Sequence, residues 1–211
     1  MADFVKAEVK TGRNEGGFSD DSADAGGETY RGIASAFHPS WQGWAAVRAA
    51  SAKARGGLQR TPREDWAQVD AALAGNLVLQ GQVSNFYKIE FWDRLGLDGF
   101  QVQLLAEVLY DAAVNCGVGK AALWLQQGLN ALNEGGTLYP DLLEDGGVGP
   151  KTLATAVDFQ KQWTDRSLHL TAAVLILRGA HHLARMRERP DQERFARSWL
   201  GRVARQMGEL C

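Results

Sequence analysis

Five carboxylates, Glu15, Asp20, Asp21, Asp24 and Glu28, fall within 14 residues of the stretch Asn14 to Ile33, and no basic side chain enters it before Arg31. Glu15 differs from the others by position: it stands where an amphipathic helix runs into Gly16-Gly17. A carboxyl at the C-terminal end of a helix is pushed toward its protonated form by the helix dipole and by burial. That is the form a general acid needs at neutral pH. The bland reading of the same residues is a metal-binding or merely solvated acidic loop. Calcium spacing fits poorly, because with Asp20 at position 1 of an EF-hand loop, Asp24 reaches position 5 but Ser22, Ala25 and Arg31 occupy positions 3, 6 and 12. On these residues alone, catalysis and a structural loop both stand.

Other metal chemistry finds little support. His181 and His182 are adjacent, so on a helix they point to different sides and do not chelate together, and no His/Cys cluster has zinc spacing. No metal and no cofactor are expected. Cys116 and Cys211 lie 95 residues apart, the second at the last position, and both read as free thiols.

The elements that must position these groups are helical almost throughout, because apolar residues recur at three and four and hardly anywhere alternate at two. A first helix is expected over Asp3 to about Arg13, with Phe4, Val5 and Val9 on one stripe. Gly16, Gly17, Gly26, Gly27 and Gly32 then mark a loop or small hairpin. Thr61-Pro62-Arg63-Glu64 reads as a capping box with Pro at the first helical position, opening a helix from residue 62 that Gly75 and Gly81 bend or break. Asp98 is placed to cap a helix from Phe100 to about Asn115, stopped by Gly117. Further helices are expected at about 119–132, 150–163, 165–188 and 191–207, with a Gly-rich loop at 134–149.

Composition narrows the class. The chain has 211 residues, 45% hydrophobic and 23% charged with a net charge of -2, which is ordinary for a globular protein and excludes disordered, collagen-like and coiled-coil classes. No basic footprint for nucleic acid is present. The longest apolar run, Ala172 to Leu177, is far short of the roughly 20 residues of a membrane span. The N-terminal stretch lacks the apolar run of a signal peptide, so synthesis in the cytoplasm is expected.

Glu15-Gly16-Gly17-Phe18, then Asp21-x-x-Asp24-x-Gly26-Gly27-Glu28-Thr29-x-x-Gly32-Ile33, closely resembles the opening motif of the N-acetylmuramidases of glycoside hydrolase family 108, found as phage endolysins and in bacterial toxin-release loci. The resemblance continues through Tyr87 to Trp92, Asp111 to Gly117, Leu125 to Asn130 and Asp145 to Thr152, and ends near Ser198 to Val203. It implies an all-α, lysozyme-like helical fold with a small Gly-rich loop or β-hairpin near the N-terminus. It also implies cleavage of the β-1,4 bond between N-acetylmuramic acid and N-acetylglucosamine, with Glu15 as catalytic acid. The spacing further resembles the Glu, Asp, Thr triad of T-even phage lysozymes: Asp24 follows Glu15 by nine residues, and Thr29 comes one residue early. Asp24 and Thr29 are therefore candidates for the second carboxylate and for positioning water.

Aromatic faces stack on sugar rings, and seven tryptophans are more than a core alone usually needs. Tyr30, Trp41, Trp44 and Tyr87 are candidate glycan-stacking residues, with Asn115 of the Asp111 to Gly117 motif as a further substrate-binding candidate. Trp66, Trp124, Trp163 and Trp199 lie on apolar helical stripes and are expected in the core.

Residues 1–97 are expected to form a lysozyme-like catalytic region and 98–211 a helical peptidoglycan-binding region packed against it. The second rests on Leu125-Gln126, Leu129-Asn130, Asp145-Gly146, Gly149, Thr152 and Phe159-Gln160, which look like the helix, Asp-Gly loop, helix pattern of small peptidoglycan-binding modules. The bland reading is that Leu125, Leu129, Val157 and Phe159 are core and the Asp-Gly-Gly run is a turn followed by a helix cap. Residues 178–205 hold eight arginines against three acids, either a solvated face or a contact for anionic wall or lipopolysaccharide groups. The expected partners are peptidoglycan glycan strands, reached through a holin or secretion channel, with the protein a monomer acting in the periplasm or cell wall. A lytic transglycosylase and a non-catalytic peptidoglycan-binding secretion accessory remain as alternatives.

Overall fold

The computed structural model describes residues 1–12, 16–21 and 24–210. Helix α1 (Phe4–Gly12) is followed by strands β1 (Phe18–Ser19), β2 (Thr29–Tyr30) and β3 (Ile33–Ala34), then by α2 (Trp44–Arg55), α3 (Trp66–Ala74) and α4 (Leu77–Tyr87). After a π turn at Lys88–Trp92 come α5 (Gln103–Cys116), α6 (Val118–Ala131), α7 (Pro150–Gln162), α8 (Arg166–Glu188) and α9 (Ala196–Gly208). The fold is mostly α with one small antiparallel sheet near the N-terminus, the class expected. Two units divide the chain: Thr11–Tyr87, and Met1–Lys10 with Lys88–Cys211.

In the unit Thr11–Tyr87, the strands pair in the order β1-β2-β3, with Phe18 opposite Tyr30 and Tyr30 opposite Ile33. Arg31 and Gly32 join β2 to β3, both at positive φ (50° and 76°). A two-residue turn of that hand matches the twist of the strands it connects. Phe18, Tyr30 and Ile33 are buried with Val47 of α2, Val69 and Leu73 of α3 and Leu79 of α4.

In the other unit the central element is α5, where every residue from Leu105 to Ala113 is buried. A helix covered on all sides is apolar on all sides, and α5 departs from that rule only at Glu107 and Asp111, each of which meets a cation. Phe4, Trp92 and Tyr110 form an edge-to-face trio with ring centroids 5.5–5.9 Å apart. The start of α1 is tied down by Ala2 N–H donating to Phe100 O (2.8 Å) and Asp3 N–H to Gln103 Oε1 (2.7 Å), while Asp3 Oδ1 caps the helix by accepting from Val5 N–H.

Several local expectations are corrected. The buried stripe of α1 is Phe4, Ala7 and Thr11, at spacings of three and four, so Val5 and Val9 face solvent. The capping box at Thr61 does not form: the segment opens as a 3-10 turn (Arg63–Asp65), and Thr61 N–H donates to Asp20 instead. Gly75 ends α3, whereas Gly81 is accommodated inside α4. Asp98 does not cap α5, because its Oδ1 accepts from Trp92 Nε1 (2.7 Å). The N–H groups of Gln101 and Val102 at that helix start donate to Gln160 Oε1 of α7, each at 3.0 Å. The last expected helix is split, with a 3-10 turn (Pro190–Phe195) preceding α9.

Candidate active site

Glu15 lies outside the described residues. The backbone just beyond it, at Gly17 and Phe18, is held firmly. Asp70 of α3 accepts from Phe18 N–H (2.6 Å), and Arg31 N–H of the β2–β3 turn donates to Gly17 O (3.3 Å). A Cβ at Gly17 would stand 2.0 Å from Asp70 Oδ2, so any side chain there would displace the carboxylate that holds Phe18 N–H. Tyr87 reaches back from the end of α4 and donates its hydroxyl to Arg31 O (2.6 Å), bracing the turn that braces Gly17. Nothing local in the sequence marks Asp70, because its partner is 52 residues away.

The acidic stretch is differentiated. Asp20 is buried and neutralised, accepting from Arg60 Nη1 (3.0 Å) and Thr61 N–H (2.8 Å), which makes it a link between the sheet and the start of the α3 segment. Glu28 is half-buried and accepts from Arg48 and Ser51 of α2, each at 3.3 Å. Asp24 is exposed and accepts from Gly26 N–H through Oδ1 (2.8 Å), with no donor to Oδ2 among the described residues. Thr29 is half-buried in β2, and its hydroxyl donates to Gly27 O (3.2 Å). Asp24 and Thr29 thus flank one short turn, each oriented by it.

The aromatic candidates divide. Tyr30, Trp44 and Tyr87 are buried, and their polar atoms are committed: Tyr30 accepts from Gln80 (3.1 Å), Trp44 donates to His38 O (2.7 Å), and Tyr87 to Arg31 O. The structure gives these three packing positions, with covered rings that no sugar reaches. Trp41 is half-buried against Trp44 and Phe86 and keeps exposed surface. Among the expected core tryptophans, Trp124 is buried, while Trp66, Trp163 and Trp199 are half-buried.

Asn115, the remaining substrate-binding candidate, sits near the end of α5 in the other unit, its Nδ2 donating to Asp111 O (2.7 Å). There the arginine-rich segment proves heterogeneous. Arg178 and Arg202 turn inward to the Asp111 carboxylate at 2.7 and 2.8 Å, so they belong to no surface patch.

The Gly-rich loop between α6 and α7 is held by carboxamides along α6 and just past its end. Gln126 pairs with Gly146 N–H and Gly147 O, Asn130 with both backbone groups of Leu142, and Asn133 with Tyr139 N–H and O. Spacings of four and three residues put all three on one helix face, where they act as a strand-like edge for the loop. Leu125, Leu129 and Phe159 beside them are core. Asn133 is absent from the sequence-based candidates, although its helical spacing from Asn130 is the signal that marks it.

Among the described residues no group of three or more His, Cys, Asp or Glu side chains is placed to hold a metal ion, and no helix is long and apolar enough to cross a membrane. Cys116 is free, and Cys211 lies outside the described residues.

Comparison with known proteins bears on both parts of the chain. Residues 9–117 match the family model of glycosyl hydrolase 108, and residues 120–204 match that of a predicted peptidoglycan domain. No curated protein is significantly similar. Among solved structures, Brucella abortus SagA is similar with a TM-score of 0.55 and 22% identity over 98% of this chain and 92% of that one, a likeness of fold. The first match begins in α1, takes in the Glu15 motif and the braced turn behind it, and runs to the glycine that stops α5; with more than half of its length so matched, the chain belongs to the glycosyl hydrolase 108 family.

Proposed function

We propose that this glycoside hydrolase of peptidoglycan is an N-acetylmuramidase, cutting the β-1,4 bond from N-acetylmuramic acid to N-acetylglucosamine with Glu15 as general acid. The observation that carries the reading is the family match across Glu15-Gly16-Gly17, with the backbone at Gly17 and Phe18 clasped from α3 and from the β2–β3 turn. A general acid acts only if its carboxyl is held within hydrogen-bond reach of the leaving oxygen. A clasp beginning two residues later, on Gly17 and Phe18, is in keeping with that requirement.

In this reading Glu15 gives its proton to the glycosidic oxygen as the bond to the anomeric carbon breaks. The exposed Asp24 carboxylate, with Thr29 across the same turn, steadies the positive charge on the sugar or orients the incoming water. Of the four aromatic candidates, Trp41 is the one that keeps exposed surface with which to stack on the glycan. Access to the wall runs through a holin or secretion channel.

Zymography on wall-containing gels with wild type and Glu15→Gln tests the assignment. Loss of a general acid lowers the rate by about a hundredfold or more, and clearing by Glu15→Gln at the wild-type rate would sink it. Mass spectrometry of the released muropeptides fixes the bond and the chemistry. Hydrolysis leaves reducing muramic ends, whereas a transglycosylase leaves 1,6-anhydro ends lighter by one water.

A further inference from the structure

Helix α8 packs its inner face through Leu170, Val174, Arg178 and His182, all buried. Its outer face has an uncommon composition. A surface helix ordinarily carries charged residues on the side turned from the core. Between Arg166 and Arg185, however, α8 holds no Asp, Glu, Lys or Arg except the inward-turned Arg178. Leu168, Ile176 and Leu183 are instead 43%, 60% and 51% exposed. Ala172 lies between the first two and Ala180 between the last two, so the five residues recur at spacings of three and four and form one stripe.

The two ends of the stripe carry opposite charges. Asp165, which leads into the helix in helical conformation (φ -62°, ψ -41°), comes eleven residues before Ile176, and Arg187 comes eleven after it. Eleven residues make close to three whole turns, so all three share a face. Asp165 and Arg187 are exposed, and neither makes an ion pair among the described residues. Turned end for end about Ile176, the stripe sets Ala172 on Ala180, brings Leu168 beside Leu183, and sets Asp165 on Arg187. A patch that complements itself in this way is the mark of an isologous contact, in which the same surface meets itself across a twofold axis.

We propose that α8 pairs antiparallel with the α8 of a second copy of this chain, with Ile176 on the twofold axis. The alanines four residues to either side leave room for two isoleucines to meet as the helices approach. Direction is set by charge. The antiparallel pair joins Asp165 to Arg187 twice, whereas a parallel pair would set aspartate against aspartate and arginine against arginine. A stripe along one helix about 34 Å long makes a contact at the small end of protein interfaces, so the pair is reversible, with a dissociation constant on the order of micromolar or weaker. The monomer expected from the sequence is its dilute form.

Sedimentation velocity of the full chain, run from about 1 μM to several hundred micromolar, tests the pairing. The average mass is expected to rise from that of one chain toward that of two. Ile176→Asp, which places two carboxylates on the axis, is expected to weaken association by about tenfold or more. Asp165→Arg and Arg187→Asp are each expected to weaken it by about three- to tenfold. The double exchange Asp165→Arg/Arg187→Asp regenerates both ion pairs and is expected to restore it, a rescue that a merely structural role would not give. All three positions are exposed, and circular dichroism of each variant is expected to match wild type. A chain that stays monomeric throughout, unchanged association in Ile176→Asp, or a double exchange no better than either single would each overturn the proposal. Cosedimentation of a monomeric chain with phosphatidylglycerol vesicles, lost in Ile176→Asp, would assign the face to a membrane instead.

Discussion

Arg178 of α8 donates to Asp111 Oδ2 of α5 at 2.7 Å with both side chains sealed from solvent, and Arg202 of α9 completes the cluster on Oδ1. Three helices are thereby fixed through one carboxylate. Removing a single partner from a buried ion pair leaves an uncompensated charge, which costs about 3–5 kcal/mol. Asp111→Asn is therefore expected to lose stability on that scale in urea denaturation. Arg202→Gln is expected to lose less, because Asp111 keeps Arg178. A loss below about 1 kcal/mol in Asp111→Asn, the level of an exposed pair, would mean that water already serves these groups.

Asp70 is the test of whether the clasp behind Glu15 matters for catalysis. Asp70→Ala leaves Phe18 N–H without its acceptor, for an expected stability loss of about 1–3 kcal/mol. Because a small misplacement of a catalytic group costs up to about a hundredfold in rate, turnover on purified wall is expected to fall well beyond the unfolded fraction. Asp70→Asn retains an acceptor oxygen and is expected to recover much of the rate. Activity that merely tracks the folded fraction in both variants would reduce Asp70 to a structural residue.

His182 sets an acid limit on stability. Burial, followed by Arg178, His181, Arg202 and Arg185, lowers its pKa in the folded chain to about 4, against an ordinary value of 6.5. Between those pH values the unfolded chain binds a proton that the folded chain refuses, so stability falls as pH drops through the window and this contribution is complete at about pH 4. At about 1.4 kcal/mol per unit, the full effect is on the order of 3 kcal/mol. Urea unfolding at neutral pH and again near the acid end of that window should show a smaller decline in His182→Phe than in wild type. Parallel declines would place the acid sensitivity elsewhere.

Much of the helical order is legible in the sequence because its signals are local. Gly117 stops α5 at positive φ and Pro150 opens α7, each through the conformational limits of its own residue. The caps expected at Thr61 and Asp98 fail because other side chains have prior claim: Asp20, 41 residues away, on the first, and Trp92, only six residues before it, on the second. The aromatic candidates show the same limit. Tyr30 and Trp44 carry the chemistry of a sugar platform, and only the arrangement of α2 and the sheet around them reveals that their faces are covered. The arginine run likewise has the expected charge in a different place, since Asp111, which draws Arg178 and Arg202 inward, lies in another helix 67 and 91 residues away. Glu15 is singled out by its neighbours in sequence alone.

The division of the chain has a consequence for its birth on the ribosome. Residues Thr11–Tyr87 emerge with all their own unit's members present, whereas Met1–Lys10 belong to a unit whose remainder begins at Lys88. Lys10 Nζ pairs with Glu107 and with Glu209, each at 2.6 Å, so its second partner is translated 199 residues after it. Met1–Lys10 are thus made before the groups that secure them, with Thr11–Tyr87 translated in between. Contacts of such long sequence separation form slowly, so this unit closes only after the residues of the other have been made.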